Sequence, residues 1–335
     1  MTVNAPSISV RYADAVISEH GGHTQFIVTR NFRAPIELTR TFVGPAGTAG
    51  LRGNFGSFPM MGEGITQIVV PFTAEDNTIV DGDFAVLGYG VAYRPIPNDP
   101  FVASNLAFIT ILDDEFLQVE SVLVNNQEAA AVSAIEVNQR SRVMDLTITL
   151  NGMATIAHGS FVLTRYKTFD ASNKLVNDAT DVGLVQTVRT IGVGTSNPKT
   201  QVILTFKGPI TEYGSLSDGL YRLTINSGGV KDVPLLSSPR ELDGDRNNVA
   251  GGNYANDSFF RLFGDSDGNG VVDAADNLRF RDYAARTNRA GVSDWYRWYF
   301  DFDDSLTKDS AGNRTAYNAI DGAEFNKRLS KRKTT

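Results

Sequence analysis

Short Val-, Ile- and Thr-rich runs, each cut off by Gly, Asn, Asp or Pro, fill the chain from Ile8 to Ser227, and this rhythm limits what it can fold into. Such runs are long enough for strands and too short for stable helices. "SISVRYADAVIS", "TQFIVTRN", "IELTRTFV", "TQIVVPFT", "GDFAVLGYGVAY" and "LAFITILDDE" predict an antiparallel β-sandwich over residues 1–116. About seven strands in about 110 residues is the usual size of that fold. "LQVESVLVN", "RVMDLTITL", "SFVLTRY", "LVQTVRTIGV", "TQVILTF" and "GLYRLTINS" predict a second sandwich over 117–238, ending where "PLLSSPRELDGD" brings prolines, serines and then acid. The spacing of the second set does not repeat the first.

From Leu242 the pattern changes to short amphipathic pieces between Asp-rich loops. "NDSFFRLFG" sets Phe259, Phe260, Leu262 and Phe263 at near-helical spacing behind Asn256 or Asp257 as N-cap. "AADNLRFRDYAAR" and "DGAEFNKRLSKR" predict two more helices, so residues 239–335 read as a small, mainly helical domain. With 335 residues, two or three domains are expected. The formal charge of -7 argues against a nucleic-acid binder, which needs a basic surface to neutralise phosphates. Cysteine is absent, excluding disulfides and thiolate sites. No apolar run approaches the ~18 residues of a membrane span. "MTVNAPSISV" lacks the basic start and apolar stretch of a secretory signal, and a first strand so near the start suggests a fragment of a longer chain.

The most specific motif is "DSDGNGVVDAAD". Counted from Asp265 as position 1, Asp267 stands at 3, Asn269 at 5, Gly270 at 6, Val271 at 7, Asp273 at 9 and Asp276 at 12. A calcium loop of the EF-hand kind takes side-chain oxygen at 1, 3 and 5, a main-chain carbonyl at 7, a water or side chain at 9 and an acid at 12, with Gly at 6 for the turn. Every position fits, with Asp for the usual Glu at 12. As an unliganded turn, the same loop would crowd like charges with no counterion. Val272, at position 8, is suited to pair with a partner loop.

A second loop is expected at "YFDFDDS", with Asp301 and Asp303 at positions 1 and 3. "AIDGAEF" then supplies the Ala319 carbonyl at 7, Ile320 at 8, Asp321 at 9 and Glu324 at 12, with Asn318 where Gly is usual. Relative to a plain loop, twelve extra residues intervene in and around "LTKDSAGNRTAY", and both Ser305 and Asp309 are candidates for position 5. Asp243, Asp245 and Asn247 in "LDGDRNN" imitate a loop start without its later ligands, and read as a linker or cap.

An EF-hand-type loop with Asp at 12, followed by a helix and lacking a long entering helix, resembles the dockerin type I repeat. That resemblance implies calcium and docking to a cohesin-like or other cell-envelope protein. The first sandwich resembles a Calx-beta domain through "ISEHGG", "TQFIVTR", "GTAGLRGNF", "VPFTAEDNTIVDGDF" and "ITILDDE". In that family, acids at one end of the sandwich hold calcium, which implies Glu19, Glu75, Asp76, Asp83, Asp113 and Asp114 here. Asn54 departs from the family's usual Asp. The middle segment resembles bacterial immunoglobulin-like modules, through "QRSRVMDLTITL", "SFVLTRY", "VILTFKG" and "SLSDGLYRLTI". The whole order is similar to the C-terminal region of a large planctomycete secreted or surface protein, implying an extracellular or cell-surface location.

The overall expectation is a mainly β multidomain chain: a Calx-beta-like and an Ig-like sandwich, then a dockerin-like domain with EF-hand-type loops. No nucleophile, metalloprotease, phosphate-loop or dinucleotide motif is present, and His20, His23 and His158 lie in separate segments. His20-Gly-Gly-His23 reads as a turn, and "GVGTSNPKT" lacks a following helix to hold phosphate. The expected function is therefore non-enzymatic calcium binding, with the sandwiches as spacers. The alternative is an adhesive module that binds glycan on a sandwich face or on Trp295, Tyr296, Trp298, Tyr299 and Phe300, an aromatic cluster better read as core. The basic tail "NKRLSKRK" is expected to complement a helix C-terminus while remaining in water.

Overall fold

The computed structural model describes residues 7–33, 36–43, 53–56, 61–76, 79–80, 84–94, 102–125, 138–195, 197–234, 238–286, 298–305, 307–308, 314–315 and 317–332. It is mainly β, with two α-helices among the described residues. The chain forms two compact units: residues 1–116 with 232–240, and residues 117–231 with 241–335.

In the first unit, one sheet has the order Ile8–Tyr12, His23–Arg30, Gln67–Ala74, Gly53–Phe55. The other has the order Val16–Ser18, Ala107–Leu112, Phe84–Arg94, Glu37–Val43. Val102–Ala103 adds a fifth strand to this sheet by pairing with Phe84–Arg94. Gln67–Ala74 alternates exposed and buried along its whole length, as the period of two requires of a strand with one wet face. Phe26, Val28, Val70 and Phe72 from the first sheet share one core with Val91, Tyr93, Ile109 and Ile111 from the second, which makes the unit a sandwich. Val16–Ser18 runs parallel to Ala107–Leu112 and so carries Glu19 to the end of the latter strand, beside the acids that follow it.

The second unit has two four-stranded sheets. One runs Val119–Val124, Asp145–Leu150, Lys199–Lys207, Gly183–Ile191. The other runs Leu175–Asp181, Phe161–Phe169, Gly219–Ile225, Tyr254–Arg261. The last of these strands corrects the helix expected around Phe259. Tyr254–Arg261 pairs antiparallel with Gly219–Ile225, with a register shift between Tyr221 and Leu223. A free sheet edge supplies partners for its backbone N–H and C=O groups, and that tertiary gain overrides a weak local periodicity.

The two expected helices are present as α1, Ala274–Arg286, and α2, Ala319–Arg328. The expected boundary near residue 238 does not separate compact units, since residues 241–335 belong with 117–231. Leu220 and Phe260 of the sheet lie in one core with Phe263, Phe280 and Tyr283, Trp298–Phe300 and Phe325. Phe280 of α1 and Phe325 of α2 stack with centroids 4.1 Å apart.

Asp218, at the start of Gly219–Ile225, fastens this assembly. Its carboxylate accepts from Arg261 Nη1 at 2.6 Å, Phe263 N at 2.9 Å, Arg328 Nε at 2.6 Å and Lys331 Nζ at 3.1 Å. Burial alone would raise this acid, but the charges of Arg261, Arg328 and Lys331 hold it well below the usual carboxylate range. The basic tail therefore departs from the expectation of a solvated end, because Arg328 and Lys331 are buried on this acid. Removing the charge takes the acid partner from Lys331 and leaves Arg261 and Arg328 with only the less buried Glu212 and Glu324, so Asp218→Asn should lower the stability of the second unit by about 3 kcal/mol. Trp298 is buried in this unit, so denaturant unfolding followed by tryptophan fluorescence reads it directly.

Candidate metal sites

The Asp-rich loop closes on itself. Asp265, buried, accepts from Gly268 N at 2.7 Å and Gly270 N at 2.8 Å, which wraps the chain around its carboxylate. Gly268 and Gly270 both have positive φ, at 75° and 84°, the region glycine enters at no steric cost. Asp276, also buried, accepts from Ser266 N at 2.8 Å and Asp273 N at 2.9 Å. Asp273 caps α1 by accepting from Ala275 N at 2.8 Å, while Asp276 Oδ2 accepts back from Asp273 N, so positions 9 and 12 brace the helix start together. Asp265, Asp267 and Asp276 bring ligand oxygens within 4.8 Å of one another. Asn269 turns its side-chain oxygen back to accept from Val271 N at 2.8 Å.

The second loop repeats this construction. Asp301, Asp303 and Asp321 also converge within 4.8 Å. Asp321 accepts from Phe302 N at 2.7 Å and Asn318 N at 2.9 Å, as Asp276 does from Ser266 and Asp273. Asn318 caps α2 through Ile320 N and Asp321 N. Asp304 has φ 54°, in the place of Gly268. The offset between loops is 36 residues from Asp265 to Asp301 and 45 from Asp276 to Asp321, so the insertion is nine residues long.

This equivalence reassigns several expected ligands. Asp321 holds position 12, Asn318 holds position 9, and Ser305 matches Asn269. Asp309 lies outside the described residues. Glu324 stands away from the cluster and pairs with Arg328 and Lys327. Ala319 is the first residue of α2, two before Asp321, and so matches Ala274 rather than Val271 at position 7. Val272 does not meet Ile320: it is buried and exchanges main-chain hydrogen bonds with Ser330 and Lys331, Val271 bridging to Arg332, while Ile320 is 46% exposed.

Burial governs the electrostatics of both loops. Asp265 is pushed up to about 7 by desolvation and the charges of Asp276 and Asp267, against the N–H groups of Gly270 and Gly268. Asp301 is likewise pushed up to about 7, by desolvation and then Asp321 and Asp304, with Arg142 and Ser305 N opposing. Asp321 rises to about 6 and Asp276 rises too, in both cases mainly from burial. One buried oxygen of Asp301, Oδ2, has no hydrogen-bond partner. Buried carboxylates that lack a cation and carry an open lone pair suit a hard, oxygen-seeking dication.

In the first unit Glu19, Asp76, Asp114 and Glu115 converge within 4.8 Å, and His20 joins Asp76 and Asp114 at the rim. His20 Nδ1 lies 3.0 Å from Asp76 Oδ2. Glu115 is pushed up to about 8 by burial and by hydrogen bonds and repulsion from Asp113 and Glu19. Its presence was missed in the sequence, although it directly follows the two acids of "LDDE". Asp113 does not join the cluster: Arg240, on the returning segment, takes it at 2.8 Å and Asp232 at 2.9 Å. Glu75 is exposed and stands apart, and Asp83 lies outside the described residues. Asp243 uses its oxygens on Asn247 N, Asn248 N and Gln118, the behaviour of a turn cap.

Trp298, Tyr299 and Phe300 are buried, while Trp295 and Tyr296 lie outside the described residues. No helix among the described residues is long and apolar enough to cross a membrane. Comparison with protein-family models gives no match, nor does comparison with curated proteins. Among solved structures the chain is similar to a crystal structure of the calcium-binding domain CBD12 of CALX1.1, with a TM-score of 0.25 and 11% identity over 71% of this chain and 82% of that one.

Two outcomes follow. Asp265 and Asp301 have folded values near 7 against an ordinary 3.8, so the stability tied to their protonated forms is complete below the ordinary value and lost as pH rises through about 7. In chelator the unfolding midpoint of the second unit should therefore fall between about pH 4 and 7 and level off above, and saturating calcium should remove most of that fall. A midpoint that climbs with pH in chelator would contradict the burial of these acids. In the first unit, Arg240→Ala removes the cation that buried Asp113 and Asp232 share and should cost about 3–5 kcal/mol, read by amide exchange in His23–Arg30.

Proposed function

We propose that the chain is a non-enzymatic calcium-binding modular protein whose last segment carries a pair of calcium loops. The observation that carries this reading is the repetition of one side-chain arrangement at two places. Asp265, Asp267 and Asp276 in one loop and Asp301, Asp303 and Asp321 in the other each gather three carboxylates, with the position-12 acid fixed by the same two main-chain donors. Asn269 and Ser305 occupy the equivalent position 5, where Asn269 accepts from Val271 N and Ser305 Oγ accepts from Asn318 Nδ2. When bound, calcium supplies positive charge to the buried acids Asp265, Asp276, Asp301 and Asp321, while Asp267 already faces Arg279 at 3.4 Å. The residues themselves fix the loop around it and tie the ion to the first turn of each helix. Asp at position 12 offers a shorter arm than Glu, which suits weaker sites of the kind found in extracellular modules, with dissociation constants on the order of 0.1–1 mM.

The acidic cluster of the first unit, Glu19, Asp76, Asp114 and Glu115, is a third candidate for the same ion. The wider role we propose follows the dockerin resemblance: an extracellular or cell-surface protein whose helices dock to a cohesin-like or other envelope partner. Leu278 at 72% and Ile320 at 46% exposure put apolar side chains on the outer surfaces of α1 and α2. Burial of Trp298, Tyr299 and Phe300 argues against glycan stacking on that cluster.

Calorimetric titration of the whole chain with calcium tests the reading. Asp265→Ala with Asp267→Ala should remove one binding event, and Asp301→Ala with Asp303→Ala another, while the wild type gains thermal stability on calcium addition. Absence of heat and of a melting shift at millimolar calcium sinks it. Unchanged stoichiometry in both double variants would overturn the ligand assignment.

A further inference from the structure

One short segment of the sheet framework, Gln139–Arg142, holds both acidic loops. At the first loop, Leu262 N donates to Arg140 O at 2.9 Å and Arg140 N donates to Asp265 O at 2.9 Å, a main-chain ladder that ends on a ligand residue. Gly268 lies so close to this segment that a Cβ there would come within 2.0 Å of Asn138 O. At the second loop, Arg142 Nη1 donates to Asp301 O at 2.7 Å and lies 3.3 Å from Asp304 Oδ1, while Nη2 donates to Tyr213 O at 2.9 Å.

Ser141 sits between the two. Its hydroxyl accepts from Gly264 N, one residue before Asp265, at 2.8 Å and donates to Tyr299 O, two residues before Asp301, at 2.6 Å. The segment is itself braced: Gln139 Oε1 accepts from Arg142 N at 3.0 Å, and Gln139 Nε2 donates to Arg142 O at 2.9 Å. Gln139, Ser141 and Arg142 are all buried, so these bonds have no competing water. A few residues on, the chain becomes Asp145–Leu150, buried at every position and paired on both sides within its sheet.

We infer that Gln139–Arg142 is a strap that couples the two loops to each other and to the sheet, so that filling either loop with calcium tightens the other and stiffens the strands behind it. This rests on the calcium reading above. A pair of loops that fold as an independent module could still feel each other through Phe280 and Phe325, but would leave those strands unchanged. The strap also explains why residues 241–335 share a compact unit with 117–231: the sheet framework supplies donors and acceptors that the loops need.

The test uses the whole chain with calcium alone as ligand. Hydrogen exchange of the wild type should show calcium-induced protection in Asp145–Leu150 and Lys199–Lys207 as well as in the loops. Calorimetry should show Ser141→Ala weakening both binding events several-fold with stoichiometry kept, and Asp301→Asn weakening the first loop's event at least threefold. Normal binding with protection confined to residues 261–332, or an unchanged first event in Asp301→Asn, overturns the coupling and leaves the calcium reading intact. No calcium binding in the wild type overturns both. The exchange measurement needs no variant, so the inference stays testable if Ser141→Ala does not fold.

Discussion

Burial of carboxylates is the constraint on which both units depend, because an acid taken out of water must meet a cation, collect hydrogen bonds or keep its proton. The chain uses all of these answers. Asp218 meets Arg261, Arg328 and Lys331, and Asp113 and Asp232 meet Arg240. Asp265, Asp276, Asp301 and Asp321 are buried with main-chain donors and, in most cases, other acids for company. The first group is complete within the chain. The second holds its protons more tightly for want of a cation, and that difference separates scaffold from candidate site.

The helix termini serve the site directly. In each loop the residue at position 9 caps the helix and the acid at position 12 accepts back from it with one of its oxygens. The ligand oxygens are thus held by the geometry that starts the helix, and the helices in turn are held by Phe280 against Phe325. A nine-residue insertion is tolerated in the second loop because closing a longer loop costs only ~0.6 kcal/mol per doubling of length. What it changes is the spacing by which the loop is recognised, not the chemistry at its ends.

That spacing marks the limit of what was legible. The strand rhythm located most strands of the four large sheets, though not Gly53–Phe55 or Leu175–Asp181, and α1 was readable because its cap, its apolar spacing and the loop before it are contiguous. The first loop was readable for the same reason, every ligand lying within twelve positions. In the second, anchoring on Asp321-Gly322 led to Glu324, whereas the tetrads Asp273-Ala-Ala-Asp276 and Asn318-Ala-Ile-Asp321 share one pattern and identify Asp321 as the last ligand. The strand at Tyr254–Arg261 was not legible, since nothing local announces the sheet edge that pairs with it.

The sequence by itself determined the local devices: alternation in Gln67–Ala74, the turn glycines, the caps, and the run of oxygens from Asp265 to Asp276. These depend on neighbours along the chain, and their physics is of short range. Only the tertiary structure decided which acids are neutralised from a distance. Arg240 reaches Asp113 across 127 positions, and Lys331 reaches Asp218 across 113. Equally, only the fold could place Ser141 between two loops that lie 123 and 158 residues further on. Charge pairing and buried hydrogen bonding act through space, so sequence spacing carries no trace of them.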